Sequence, residues 1–250
     1  MVIAMVTLAN EKCFPGQKQM SISAIEQGVS HIFNWTWDDF KKTHWYQQNE
    51  IFKENRGLGY WSWKPFIIRD TLMKLNDGDT VLYHDAGRPC YNWKITEPIK
   101  PAVEYLNKNH NGFGIIFGGF NHGKYTKRDC FVTMGCDEKK FHDHRQVSAT
   151  WSFWQKNAFC LRMLDEWIIW LMHPTKIVSD IESKAPNLPE FQSSHRHDQS
   201  IFTNILLKKH FVKEYKVIFA RRFYEKDINN FLRMHQENFR NLFVKTYESV

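Results

Sequence analysis

A chain of 250 residues with 42% hydrophobic and 16% aromatic side chains can bury one sizeable core, so a single domain over residues 1–250 is expected. No apolar run approaches the roughly 18 residues that a membrane-crossing helix needs, which excludes a helical membrane protein. The net charge of +7 calls for partners that carry negative charge, such as a nucleotide sugar, a nucleic acid or an anionic lipid surface, without choosing among them.

Met1 to Asn10 has neither a positive leader nor a small-residue cleavage site, so it reads as a buried strand and not a signal peptide. The five cysteines, Cys13, Cys90, Cys130, Cys136 and Cys160, form no Cys-x-x-Cys pair and read as reduced thiols in a cytoplasmic protein. Val2 to Leu8 is a nearly continuous apolar run, the pattern of a strand covered on both faces. A helix is expected from Pro65, tolerated at a first helical position, through Ile67, Ile68, Thr71, Leu72 and Leu75, ending at Asn76 to Gly78. Val81 to Tyr83 predicts a second strand and Gly112 to Phe120 another. Ala158 to Met172 predicts an amphipathic helix with Phe159, Met163, Trp167 and Trp170 on one face. Ser200 to Lys209 reads as helix and Lys216 to Ala220 as a late strand. This alternation predicts an α/β fold, a mostly parallel central sheet flanked by helices. Ligands of such sheets gather beyond the carboxyl ends of the strands.

Thr80 to Arg88 runs from a strand directly into Asp85, Ala86 and Gly87. A carboxylate there can reach Mn²⁺ or Mg²⁺, which prefer oxygen ligands; equally, Asp85 can cap a turn in which Gly87 supplies backbone freedom. Asn55-Arg-Gly-Leu-Gly-Tyr-Trp-Ser-Trp-Lys-Pro65 places Lys64 just before the expected helix, where its ammonium and the helix amides can face one anion. Tyr60, Trp61 and Trp63 offer rings for stacking on a base or sugar, or are core. In Ser194-His-Arg-His-Asp-Gln-Ser200, an extended lead-in would point His195 and His197 to one side. Asp198 would then cap the helix or reach into a site. That spacing alone also fits part of a facial metal triad, or surface histidines beside a capping aspartate.

Together, Asn55-Arg-Gly-x-Gly-Tyr-Trp-x-Trp-Lys-Pro65, Asp85-Ala-Gly87 and His195-Arg-His-Asp-Gln-Ser200 resemble a family of small glycosyltransferases of the GT-A (Rossmann-like) kind. That family occurs in capsule and lipopolysaccharide gene clusters and in large DNA viruses of algae. The order is distantly similar to glycogenin-like retaining enzymes. The resemblance implies a donor nucleotide sugar, by preference a UDP-sugar, and a glycan or oligosaccharide acceptor. It implies Asp85 as metal-binding aspartate, with His195 or His197 as a further ligand because Gly87 stands where the second aspartate of an Asp-x-Asp motif belongs. Thr7, Leu8, Ala9 and Asn10 would line the base. Arg56, Trp63, Lys64, Ala86 and Gly87 would lie near the donor, and Asp198 and Gln199 near the reacting sugar, with Lys64 assisting. Retention is the expected outcome, with Asp198 steadying positive charge on the sugar; inversion with Asp198 as base is the alternative.

Gln146 to Trp151 occupies the stretch where such enzymes approach donor sugar and acceptor, and packing explains it equally. Arg69, Arg88, Lys127 and Arg128 are further candidates for phosphate contact, with a solvated surface charge the favoured reading of each. Lys208 to Arg222, basic with interspersed aromatics, keeps a single-strand nucleic-acid binder as a rival reading, and it can also meet a membrane surface peripherally. A His-dependent metalloenzyme such as an oxygenase is a second rival.

Overall fold

In the computed structural model, which describes residues 1–87, 93–186, 194–216, 218–219 and 228–236, the first apolar run forms β1 (Ile3–Ala9), buried along its whole length. Ala4, Val6 and Leu8 enter one apolar cluster, and Ile3 and Met5 the other. A strand can serve two cores at once because successive side chains point to opposite faces. β1 lies between two parallel partners, β2 (His31–Thr36) and β3 (Thr80–His84). β3 pairs antiparallel with β7 (Trp151–Gln155), and β7 antiparallel with β4 (Phe113–Gly114), giving the order β2-β1-β3-β7-β4. A second sheet of β6 (Arg145–Val147), β5 (Ile116–Asn121) and β8 (Ile218–Phe219) stands beside it.

Helices cover both faces of the larger sheet. On the face of Val81 and Tyr83 lie α5 (Lys64–Met73), α9 (Ala158–Leu171) and α10 (His197–Phe211), through Ile67, Ile68, Met163, Trp167 and Phe202. The opposite face, that of Leu82 and Phe153, is covered by α1 (Phe14–Glu26), α6 (Lys100–Asn109) and α11 (Ile228–Gln236), through Met20, Ala102, Leu106 and Phe231. Shorter helices complete the layers: α2 (Trp37–Lys41), α3 (His44–Gln48), α7 (Arg128–Thr133) and α8 (Lys139–His142). Local chemistry sets their ends. Pro15 sits in the first turn of α1, a Thr36–Asp39 capping box opens α2, and Asn157 accepts from the Cys160 amide at the start of α9.

The expected mixed α/β architecture with a mostly parallel central sheet is present, and Cys13, Cys130, Cys136 and Cys160 are free thiols. Several boundaries differ from expectation. The Gly112 to Phe120 run divides at Ile115 into β4 and β5, which belong to different sheets. α5 begins at Lys64 and α10 at His197, each earlier than the apolar spacing indicates. α1, β2 and the antiparallel β7 carry too little pattern to be anticipated: four of the thirteen α1 side chains are Gln, Lys or Gly within its first turns, and β2 is only partly buried.

The connection into α5 has the longest run of positive φ among the described residues. Gly57, Leu58, Gly59, Tyr60 and Trp61 have φ of 58°, 55°, 87°, 56° and 58°, so the single turn α4 (Gly57–Tyr60) is left-handed. L-residues resist this hand by about 1–2 kcal/mol each, and such strain persists only where surroundings enforce it. Here the Tyr60 amide donates to the Arg56 carbonyl at 2.7 Å and the Trp61 amide to Gly57 at 3.1 Å. The Trp63 indole closes the turn on the Gly57 carbonyl at 3.1 Å. A methyl group on Gly59 would meet Phe52 Cα at 2.8 Å and the Ile51 carbonyl oxygen at 2.9 Å, whereas one on Gly78, at the same φ of +87°, meets nothing within 4 Å. Gly78→Ala should therefore lower stability by about 1–2 kcal/mol in urea unfolding. Gly59→Ala should lose a further 1–3 kcal/mol or so through overlap. Equal losses would contradict the close packing of this turn.

Candidate active site

The carboxyl ends of β1 and β3 open into a cleft of about 610 Å³. Leu8, Ala9 and Asn10 reach it from β1, and Asp85, Ala86 and Gly87 from β3. The left-handed turn and the start of α5 supply Arg56, Trp61, Trp63 and Lys64, and the start of α10 supplies His195, Arg196, His197, Asp198 and Gln199. Segments far apart in sequence thus meet at one strand-end crevice, the place where open α/β sheets bind ligands. Thr7 is the exception. It is fully buried in β1 with its hydroxyl unpartnered and does not line the cleft; it shares a face with Ala9 but lies two residues deeper in the strand.

At the floor of the cleft the Lys64 ammonium is buried. It donates to the Ala149 carbonyl at 3.0 Å, and stands 3.1 Å from Asp198 Oδ2 and 3.4 Å from Asp85 Oδ1. Lys64 neither snorkels to water nor waits as a free cation; two carboxylates already match it. The Tyr83 hydroxyl donates to the same Asp85 Oδ1, which it reaches because residues two apart on a strand share a face. The Asp85 amide donates to the Thr150 carbonyl at 2.8 Å, extending the β3–β7 ladder. The antiparallel strand therefore delivers both Ala149 and Thr150 to the cleft, while Gln146 lies behind it.

Burial governs the charges. It works against the Lys64 ammonium, yet Asp198 and Asp85 outweigh it and hold that pKa above the ordinary lysine value. Burial pushes the Asp198 carboxyl up to about 6 against the pull of Lys64. Burial, then the neighbouring Asp85 charge, raise the Tyr83 hydroxyl well above its usual range, so it stays a donor.

A polar network fixes Asp198 from behind. Gln199 donates to Gln146 Oε1 at 2.8 Å, and Gln146 donates to Thr126 Oγ1 at 3.0 Å and Ser200 Oγ at 3.1 Å. Buried His122, its pKa lowered by burial to about 3, bridges Asn204 Oδ1 at 2.8 Å and the Thr126 hydroxyl at 3.0 Å.

His195 and His197 pack ring to ring at 5.1 Å but serve the backbone. His195 Nε2 donates to the Ile177 carbonyl at 2.9 Å and its Nδ1 accepts from the Lys127 amide at 3.3 Å. That leaves His195 no nitrogen for a metal. His197 Nδ1 donates to the Val178 carbonyl at 2.8 Å, and its Nε2 is directed to Asp180 at 3.7 Å. Among the described residues no three His, Cys, Asp or Glu side chains converge as a metal centre, so the set Asp85, His195 and His197 is corrected. Of the three, Asp85 keeps a side chain open to the cleft, 28% exposed.

The surface-charge reading of Lys127 is also corrected. Its ammonium is buried and donates to the Ser179 and Ile181 carbonyls at 2.8 and 3.1 Å, pinning the loop whose carbonyls orient His195 and His197. Arg69 and Arg128 do pair at the surface, with Asp165 and Asp137. Arg56 holds both oxygens of Asp180, at 3.2 and 3.1 Å. Tyr60 is core; Trp61 faces the cleft. Arg88 and Cys90 lie outside the described residues, as does most of the basic stretch beyond Lys216. Tyr83 escapes sequence reasoning, although its position two residues before Asp85 is a usable signal, and Ala149 falls within the Gln146 to Trp151 stretch.

No family model, curated protein or solved structure matches the chain. What the cleft can do therefore follows from its own geometry.

Because the folded pKa of Asp198 is raised, the folded state holds more protons than the unfolded state between about pH 4 and 6. Stability contributed at this position is thus full below the unfolded value and falls as pH rises through the folded one. Asp198→Asn should remove that slope. The stability of wild type minus that of Asp198→Asn should fall by up to about 3 kcal/mol from pH 4 to pH 6 in urea titrations. A difference that rises with pH would contradict the burial of this carboxylate.

Proposed function

We propose that the cleft binds a nucleotide diphosphate sugar, by preference a UDP-sugar, and transfers the sugar to a glycan acceptor, as a glycosyltransferase of the GT-A kind. The observation that carries this reading is the pair of carboxylates, Asp85 and Asp198, gathered on one buried ammonium at the carboxyl end of parallel strands. Three parallel strands followed by an antiparallel one, with helices on both faces, also favour it. The base would lie along Leu8, Ala9 and Asn10, with Trp61 and Trp63 as apolar walls.

In this reaction the bond from the anomeric carbon to the diphosphate oxygen breaks, and a bond to the acceptor oxygen forms. Asp198, kept ionised at neutral pH by Lys64 against the effect of burial, would face the positive charge that develops on the sugar. Lys64 holds Asp198 and Asp85 at fixed separation, so little reorganisation accompanies the charge change. Tyr83 keeps Asp85 turned to the cleft. A divalent cation such as Mn²⁺ or Mg²⁺, held by Asp85 together with the donor phosphates, would supply neutralisation of the leaving group. With retention, the acceptor proton passes to the departing phosphate oxygen. A second reading has a specific observation in its favour: a carboxyl with a pKa of about 6 also suits a general base near neutral pH, and Asp198 would then take the acceptor proton in an inverting transfer.

The nucleic-acid reading is weaker, since Lys64 and Arg56 are already paired with carboxylates. The oxygenase reading loses His195 as a ligand. Among the described residues no helix is long and apolar enough to cross a membrane.

Calorimetric titration with UDP and other nucleotide diphosphates, with and without Mn²⁺, should find a preferred nucleotide, and Asp85→Ala should remove the metal-dependent part of its affinity. Asp198→Asn should reduce kcat by about 100-fold or more with nucleotide affinity nearly unchanged. In wild type kcat/KM should decline below about pH 6. The anomeric configuration of the product, read by NMR, separates retention from inversion. Absence of any nucleotide affinity, or full turnover in Asp198→Asn, would overturn the proposal.

A further inference from the structure

Charge accounting in the cleft points to a residue with no role so far. Among the described residues lining the cleft, Arg56, Lys64 and Arg196 carry fixed positive charge. Arg56 is held by both oxygens of Asp180, and Lys64 by Asp85 and Asp198. Arg196 has no carboxylate within ion-pair distance among the described residues, and its Nε is buried without a hydrogen-bond partner.

The position is built. The Arg196 amide donates to the Tyr125 carbonyl at 3.1 Å, which fixes the backbone one residue before α10. The guanidinium carbon lies 3.6 Å from the centroid of the Phe120 ring and 5.1 Å from that of Tyr125. Stacking on aromatic faces holds a guanidinium plane while leaving its edge N–H groups for a planar or tetrahedral oxyanion. Burial lowers the Arg196 pKa from its ordinary value, only partly offset by Tyr125 and Asp198. That is the sense expected of a desolvated cation whose counter-ion is still to arrive.

We infer that Arg196, on its Phe120–Tyr125 shelf, is the oxyanion-binding residue of the cleft, receiving a phosphate or carboxylate group of the ligand. The inference rests on the cleft being a nucleotide-sugar site only for the identity of that ligand. A diphosphate would make Arg196 a donor-binding residue, which Lys64, already neutralised, does not replace. A carboxylate would make it a selector for acidic sugars on the acceptor.

The test uses the full chain and two probes, inorganic pyrophosphate and glucuronate, each titrated calorimetrically into wild type, Arg196→Gln, Arg196→Lys and Arg69→Gln. Arg69, paired with Asp165 away from the cleft, controls for the loss of one positive charge. Wild type is expected to bind one of the two anions. Arg196→Gln should weaken that binding about ten-fold or more, and Arg196→Lys by an intermediate factor, because it keeps the charge and loses the plane. Arg69→Gln should stay within about two-fold. Dependence confined to pyrophosphate assigns the donor phosphates, and dependence confined to glucuronate assigns an acidic acceptor. Thermal melting checks that Arg196→Gln is folded; if it is not, Arg196→Lys carries the comparison. The inference is overturned if wild type binds neither anion, or if the Arg196 variants match Arg69→Gln. Arg196-dependent pyrophosphate binding without turnover of any nucleotide sugar would sink the transfer reading and leave this subsite standing.

Discussion

The cleft is organised by one buried ammonium. Lys64 sits where water is excluded, and a lone charge there would be strongly unfavourable; Asp85, Asp198 and the Ala149 carbonyl make it tenable. Each partner comes from a different part of the fold: the end of β3, the first turn of α10 and the approach to β7. The ammonium therefore ties the parallel half of the sheet to its antiparallel half and to the covering helix layer. Two carboxylates around one cation leave an excess of negative charge, which burial answers by raising Asp198 toward neutral pH. Such a group can change charge during a reaction, a property that a solvated surface aspartate lacks.

The surroundings hold this arrangement still. The left-handed turn from Gly57 to Trp61 leads directly into α5, which opens at Lys64. Behind α10, Gln146, Thr126, Ser200, His122 and Asn204 satisfy one another's polar atoms. Lys127 anchors the loop that orients His195 and His197. A buried network of this kind is demanding: when every member has its partner it specifies one geometry, and a missing partner is costly. Many polar residues near the cleft thus serve position and leave few groups free for a ligand, chiefly the open side of Asp85, the rings of Trp61 and Trp63, and Arg196.

Much of the site is legible in the chain itself. An apolar strand that ends in Asp85, a lysine at a proline-led helix start and an Asp-Gln pair at another helix start are local signals, and the structure brings all of them to one cleft. Less legible is what depends on distant pairing. The antiparallel course of β7 cannot be read from Trp151 to Gln155, because an apolar run looks alike in either direction, yet it alone brings the Ala149 carbonyl to Lys64. The two histidines show the same limit. Spacing of His195 and His197 admits a metal pair, and only the structure reveals that both nitrogens of His195 and Nδ1 of His197 are bound to backbone groups. Thr7 was legible as strand but not as to how deep it lies below the strand end, and Lys127, polar in sequence, is buried because a loop far along the chain wraps its ammonium with carbonyls. Arg196 stood inside a recognisable motif, but that it has no carboxylate partner among the described residues emerges only when Asp85, Asp198 and Asp180 are seen paired with Lys64 and Arg56.

The central claim is that nucleotide sugar occupies the crevice above Lys64, with its reacting carbon beside Asp198. A crystal structure of the chain with UDP and Mn²⁺ tests it most directly. Density for uracil against Leu8 to Asn10, with the diphosphate running between Asp85 and Arg196, is the predicted result. Nucleotide bound elsewhere on the molecule, with the crevice above Lys64 filled only by water, would contradict it.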